Sequence, residues 1–215
     1  MYIQSLDDLF RFLRWWYETD REAAGLPEHR VPAELPDPLR RFYLEFGRMT
    51  AIEDEPAPFN TQDMLGSIAD LEYEDGMVTF SWENQGNWSC KTRLGEKDPP
   101  VFSDAGMLWD EHCEGFEQVC DSLEHFLVTL ALQETLMSCK PLWGLENDPQ
   151  EGDLLIAREP LWLNGRYVSG EPDHQFHVAR EPKAIFMGYQ GFWLGSKTDC
   201  LDRVLKRNVD YREIQ

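Results

Sequence analysis

Positive charge is scarce in this sequence: 20 lysines and arginines stand against 40 aspartates and glutamates, a formal net charge of -20 at pH 7. A field of that sign repels phosphate backbones and anionic lipid, so neither nucleic acid nor a membrane surface is expected as a partner. Acidity also keeps a protein in solution, and that reading needs no partner. Long apolar runs are missing too. The opening residues lack a charged stretch leading into an apolar one, and nothing reaches the length of a membrane span, so a cytoplasmic protein is expected. Cysteine is limited to 5, an odd number at irregular spacing, which fits reduced thiols better than a disulfide framework. Also missing are G-x-S-x-G, a phosphate-cradling glycine loop, H-E-x-x-H, a dinucleotide fingerprint, internal repeats and low-complexity tracts. An enzyme is not expected, and no cofactor is called for.

What is present is core-forming material. Hydrophobic residues make up 42% and aromatics 13%, with 8 tryptophans, which is far from the profile of a disordered chain. The 215 residues are enough for one good-sized core, and a single domain over residues 1–215 is expected. Residues 5–17 predict a helix. Ser5 and Asp8 form a capping box, and Leu6, Leu9, Phe10, Leu13, Trp16 and Tyr17 fall on one stripe, with Trp15 off its centre. A second, short helix begins with Asp37 as N-cap and Pro38 at the first helical position. It turns Leu39, Phe42, Tyr43 and Phe46 inward and ends at Gly47. Residues 49–52 read as an edge strand, before a charged loop at Glu53, Asp54 and Glu55. Asp75-Gly76 is a hairpin turn signal. Ser122 caps a further helix whose apolar face is Leu123, Phe126, Leu127, Leu130 and Ala131.

Residues 78–102 organise the chain. Val78, Phe80 and Trp82 alternate with Thr79, Ser81 and Glu83, as a half-buried strand requires. Asn84-Gln85-Gly86 breaks the alternation at a turn or bulge, and Trp88, Cys90 and Thr92 resume it. Asp98-Pro99-Pro100-Val101 is stiff and suits a sheet edge. Glu83 would serve as a general acid or base if burial shifted its pKa, but no second carboxylate or nucleophile accompanies it at a useful spacing. The preferred reading is structural: Glu83, Asn84 and Gln85 satisfy backbone groups while Trp88 packs beneath them. An alternative places them on a rim that grips another protein. Trp82 and Trp88 read as core.

Strand, Glu83-Asn84-Gln85-Gly86, Trp88 and then Asp98-Pro99-Pro100-Val101 together resemble the SUKH superfamily, which includes yeast cell-wall glucan-synthesis regulators and many bacterial immunity proteins. The segment from Leu35-Pro36 to Phe46-Gly47 is similar to that family's "LP, short amphipathic helix, G" element. Residues 122–127 with Gln133-Glu134 look like the helix that follows its sheet. The resemblance covers about residues 1–140. It implies an α+β fold: a mostly antiparallel, twisted sheet with helices packed on one side. It also implies a non-catalytic protein-binding module that neutralises a toxin, often a nuclease and hence basic. The other class it implies is a regulatory scaffold with several cellular partners.

Residues 141–215 carry strand-like runs at 154–157, 176–179, 184–189 and 192–194 with one short helix near 199–206, and are expected to extend the same sheet. His112, Cys113, Cys120 and His125 lack the paired spacing of a structural zinc site, so no metal is expected. His174 and His177, three apart on a strand, should face opposite ways. Two acidic clusters lie outside the apolar faces and are candidate partner contacts: Glu53, Asp54 and Glu55, and Asp110, Glu111, Glu114 and Glu117.

Overall fold

The computed structural model describes residues 1–50, 58–150, 152–206 and 209–214. Its architecture is α+β, two antiparallel six-stranded sheets with one long helix between them. The first sheet comprises β1 (Asp63–Leu65), β2 (Glu72–Glu74), β3 (Met77–Glu83), β4 (Ser89–Arg93), β5 (Val101–Ser103) and β6 (Glu117–Cys120). Its order is β1-β3-β4-β5-β6, with β2 also paired to β3. The second is built from β7 (Leu142–Leu145), β8 (Glu159–Gly165), β9 (His174–Ala179), β10 (Ala184–Gly188), β11 (Phe192–Ser196) and β12 (Tyr211–Glu213), ordered β12-β7-β11-β10-β9-β8.

Helix α1 (Leu6–Tyr17) starts where its capping box predicts, with Ser5 Oγ accepting from the Asp8 backbone N–H. A single turn, α2 (Arg21–Ala24), precedes α3 (Asp37–Phe46). The cap of α3 sits one residue earlier than expected: Pro36 holds the N-cap position with no side-chain bond, and Asp37 serves as an acidic residue in the first turn. Phe10 of α1 meets Phe42 and Phe46 of α3, and both phenylalanines of α3 also meet Phe59. Each of these buried rings contributes about 1.5–3 kcal/mol through area removed from water. Residues 47–49 form a 3-10 turn rather than the start of a strand. Thr50 follows that turn in a bend, and residues 51–52 of the expected strand, with Glu53, Asp54 and Glu55, lie outside the described residues.

The β2–β3 hairpin turns at Asp75 and Gly76, both at positive φ and joining the Glu74–Met77 pair, as the sequence predicts. Further along β3 the register with β4 slips between Thr79 and Ser81, so Phe80 is an extra residue. That bulge shifts the strand's phase by one. Phe80 and Ser81 are both buried, Glu83 turns inward, and Trp82 leaves the core face to lie over Gly66. Trp82 is therefore not a core residue of this sheet, whereas Trp88, Cys90 and Thr92 are buried as expected. Nor is β5 an edge: β4 and β6 flank it, and its prolines precede the ladder, where no N–H is needed.

Helix α4 (Leu123–Met137) is capped by Ser122, whose hydroxyl accepts from the His125 N–H. The expected apolar face is only part of what it buries. Residues 126–136 are buried on every side, because the second sheet covers the face that the first leaves open. Residues 141–214 therefore do not extend the first sheet. The β1–β6 layer ends at β6, and the chain crosses over α4 to start another. One continuous buried cluster unites Phe80 and Val101 of the first sheet, α1, α3 and α4, and Phe176, Ile185 and Met187 of the second. A smaller cluster around Phe186, Leu194 and Trp143 lies on the far face of the second sheet, against α5 (Leu201–Val204). Residues 154–157 contribute a single bridge, Leu154 to Leu205, instead of a strand. No helix among the described residues is long and apolar enough to cross a membrane.

Candidate functional site

The turn after β3 is built around a carboxylate. Glu83 Oε2 accepts from the backbone N–H of Gln85 (2.8 Å) and Asn87 (3.2 Å) and from Asn87 Nδ2 (3.0 Å). Gly86, at φ +74°, closes the turn by donating to Glu83 O. Asn84 Nδ2 reaches Thr61 O, which ties the turn to the segment leading into β1. Glu83 and Asn84 thus bond to backbone groups of the turn and of its neighbour, and Trp88 packs edge-on against Tyr167. Gln85 takes part through its backbone alone.

The expectation that Glu83 has no acidic companion is overturned. Antiparallel pairing of β1 with β3 sets Asp63 directly opposite Glu83, twenty residues away in sequence and adjacent on the sheet face. Asp63 is 3% exposed and Glu83 8%. Asp63 Oδ2 accepts from Gln133 Nε2 (2.6 Å) and from the Tyr167 hydroxyl (2.9 Å). Gln133 Oε1 lies 3.1 Å from His174 Nε2, and His174 Nδ1 lies 2.7 Å from Asp173 Oδ1, so a buried polar chain runs from the first sheet through α4 to the second. His174 stacks on Tyr189 with 3.8 Å between ring centroids. Burial, with Glu83 nearby, pushes the Asp63 carboxyl up to about 6 despite its two donors.

Glu134, one residue along α4 and wholly buried, carries a third carboxylate. Its oxygens accept from the backbone N–H groups of Thr61 (2.6 Å), Gln62 (3.1 Å) and Asp63 (2.9 Å). Burial first, and Asp63 second, push its carboxyl up to about 8 against the pull of those donors. Glu134 holds the residue 61–63 segment onto the helix, and thereby aims Asp63.

Asp63 and Glu83 open into a cleft of about 540 Å³ between the two sheets, walled by Trp88, Trp109, Tyr167, Tyr189 and Trp193. A larger groove of about 650 Å³ adjoins it, where Arg158 is paired with Asp148 at 3.0 Å and His177 is half-buried. His174 and His177 thus face opposite ways, as their spacing predicts.

The Asp98-Pro99-Pro100 segment lies elsewhere, at the start of α4. Asp98 accepts from Ser122 Oγ and the Glu124 N–H, and Pro99 O accepts from the Leu123 N–H, so the motif fastens the sheet to the helix cap. The four metal-ligand types disperse. Cys113 Sγ contacts Gly115 O, Cys120 Sγ contacts Ser122 O, and His125 Nε2 accepts from the Arg166 N–H, while His112 is exposed. Among the described residues no group of three or more His, Cys, Asp or Glu side chains is placed to hold a metal ion.

Asp110, Glu111, Glu114 and Glu117 are all exposed, and they follow an apolar triplet, Met107-Leu108-Trp109, that no sequence pattern marks. Met107 is 56% exposed, Leu108 55% and Trp109 59%, on a short 3-10 turn (Ala105–Leu108) and the residue after it. Side chains of this kind at the surface are a readable sign of a contact site, but sequence alone gave no means of telling exposed from buried in a segment without periodicity. Compared with protein-family models, curated proteins and solved structures, the chain matches none.

Proposed function

We propose that this chain is a non-catalytic binding module that neutralises a basic protein, of the toxin-immunity type implied by the SUKH resemblance, and that it acts in the cytoplasm. The observation that carries this reading is the surface at residues 107–117. An exposed Met-Leu-Trp triplet is followed within eight residues by four exposed carboxylates, and among the described residues none of the four is paired with lysine or arginine. That is the anatomy of a recognition patch, an apolar anchor led by tryptophan with a charged rim that steers encounter. A nuclease toxin carries a basic cleft for phosphate, and an acidic rim complements it. Five buried, unpaired thiols are in keeping with a reducing compartment.

The test is stopped-flow association with the partner recovered from the native host. The rate constant should fall at least about tenfold as the Debye length shrinks from ~30 Å to ~8 Å, with dissociation changing less. Reversing Asp110, Glu111, Glu114 and Glu117 to lysine should slow association and flatten its salt dependence at little cost in stability. Trp109→Ala should act on dissociation instead. Association insensitive to salt and to the reversals would overturn the reading, and an array of neutral partners would favour the scaffold class.

A further inference from the structure

The cleft between the sheets shares Trp109 with the surface patch it opens beside, but has a chemistry of its own. Its lining includes two carboxylates, Asp63 and Glu83, and among the described residues no lysine, arginine or histidine. Each carboxylate spends one oxygen on the fold. Asp63 Oδ2 takes Gln133 and Tyr167, and Glu83 Oε2 takes the residue 85–87 turn. Asp63 Oδ1 and Glu83 Oε1 accept from no described residue, although both side chains are more than nine-tenths buried. Neither is among the wholly enclosed unsatisfied atoms, so both oxygens reach the cleft surface. Two neighbouring acceptors without a donor, in a cavity of about 540 Å³ walled by three indoles and two phenols, have one natural complement.

We infer that this cleft binds an organic cation, an alkylammonium or guanidinium group, held between Asp63 and Glu83 and stacked against the tryptophan walls. The geometry favours guanidinium, whose planar fork can take both free oxygens while its faces lie on indole. A bare metal ion fits less well, because only two ligating oxygens converge there. The volume accommodates a small amine or the end of a basic side chain. The groups facing Asp63 are Glu83 of β3, Gln133 and Glu134 of α4, Cys90 of β4 and Tyr167, with His174 and Asp173 beyond Gln133. With its carboxyl near 6, Asp63 gives up a proton more readily when a cation arrives, so affinity should rise as pH passes through that value.

The test titrates the full chain with butylguanidine and with butylurea, its uncharged counterpart of the same shape, read by calorimetry and by tryptophan fluorescence. Butylguanidine should saturate a single site, at least about tenfold more tightly than butylurea. Asp63→Asn and Glu83→Gln should each weaken it at least about tenfold, while Glu72→Gln, at an exposed acid of β2 outside the lining, changes it less than about twofold. Asp63→Asn keeps an acceptor for Gln133 and Tyr167, and Glu83→Gln keeps one for the turn. If either fails to fold, the other and the urea comparison carry the result. Spermidine and the capped peptide Gly-Arg-Gly, with citrulline in place of arginine as control, separate the two sources. Binding of spermidine alone points to a free amine, and binding of the arginine peptide to a side chain of a docked protein. No saturation by butylguanidine, spermidine or the arginine peptide up to about 10 mM, or equal binding of butylguanidine and butylurea, overturns the inference.

Discussion

Glu134→Ala is expected to lower the free energy of unfolding by about 3–5 kcal/mol, measured from guanidinium midpoints at constant m-value. The substitution strands three backbone N–H groups, those of Thr61, Gln62 and Asp63, inside the protein. A buried unsatisfied donor costs about 1–3 kcal/mol, partly relieved where water enters from the cleft. Glu134→Gln should cost less, because its amide oxygen keeps an acceptor for part of the set. The same residue governs a pH dependence. Burial raises the Glu134 carboxyl to about 8 and that of Asp63 to about 6, both above the ordinary carboxylate range. The folded state therefore holds these protons more tightly than the unfolded chain. Their contribution is complete below the unfolded values and is lost as pH rises through 6 and then 8. Stability should decline between pH 5 and pH 8.5, by about a few kcal/mol, and Glu134→Gln should flatten the upper part of that decline. A midpoint for Glu134→Ala within about 0.5 kcal/mol of the parent would show that Glu134 does not hold the residue 61–63 segment.

Trp88→Ala should cost a comparable ~3–5 kcal/mol, the range for deleting a large buried aromatic. The ring is almost wholly enclosed, meets Tyr167 edge-on at 6.0 Å, and sits under the turn where Glu83 N–H donates to Trp88 O. Its loss would hollow out the floor of the cleft and leave Tyr167, one of the two donors to Asp63, without its neighbour. The decisive comparison is between unfolding and binding. A midpoint that barely moves while partner capture disappears would make Trp88 a contact residue and remove it from the core.

Those two residues also mark how far the sequence could be read. Trp88 was legible because alternation with Cys90 and Thr92 is local, and a period of two survives whatever the rest of the chain does. The α1 capping box, the Ser122 cap and the Asp75-Gly76 turn were legible for the same reason. Trp82 was not, because one extra residue at Phe80 shifts the phase of β3, and no residue type announces a bulge. Glu134 and Gln133 fall outside the apolar face expected of their helix, since the stripe through Phe126 and Leu130 accounts for a single sheet. Their burial depends on a second sheet that begins after the helix, and on the residue 61–63 segment arriving from far upstream. Asp63 illustrates the limit. It becomes the companion of Glu83 through strand register across an intervening hairpin, and no spacing rule on the chain encodes that pairing. Half of the site, Glu83 with Trp88, was therefore visible, and the half that gives the cleft its character was not.

The position of α4 as a middle layer has a consequence for how the chain is made. One face of the helix can dock on the first sheet as soon as both have left the ribosome. The other face, with Val178, Ile185 and Met187 destined for it, waits until β11 is synthesised. At ordinary elongation rates that delay is roughly 3–12 seconds, long compared with helix formation and hydrophobic collapse. For that interval the nascent chain presents a wet leucine-rich surface, which invites a holdase or a second nascent copy. Chains tethered to the ribosome through a long flexible C-terminal linker and ending within residues 145–175 should be bound by holdase chaperones and cut by proteases, and tethered chains that extend past β12 should escape both.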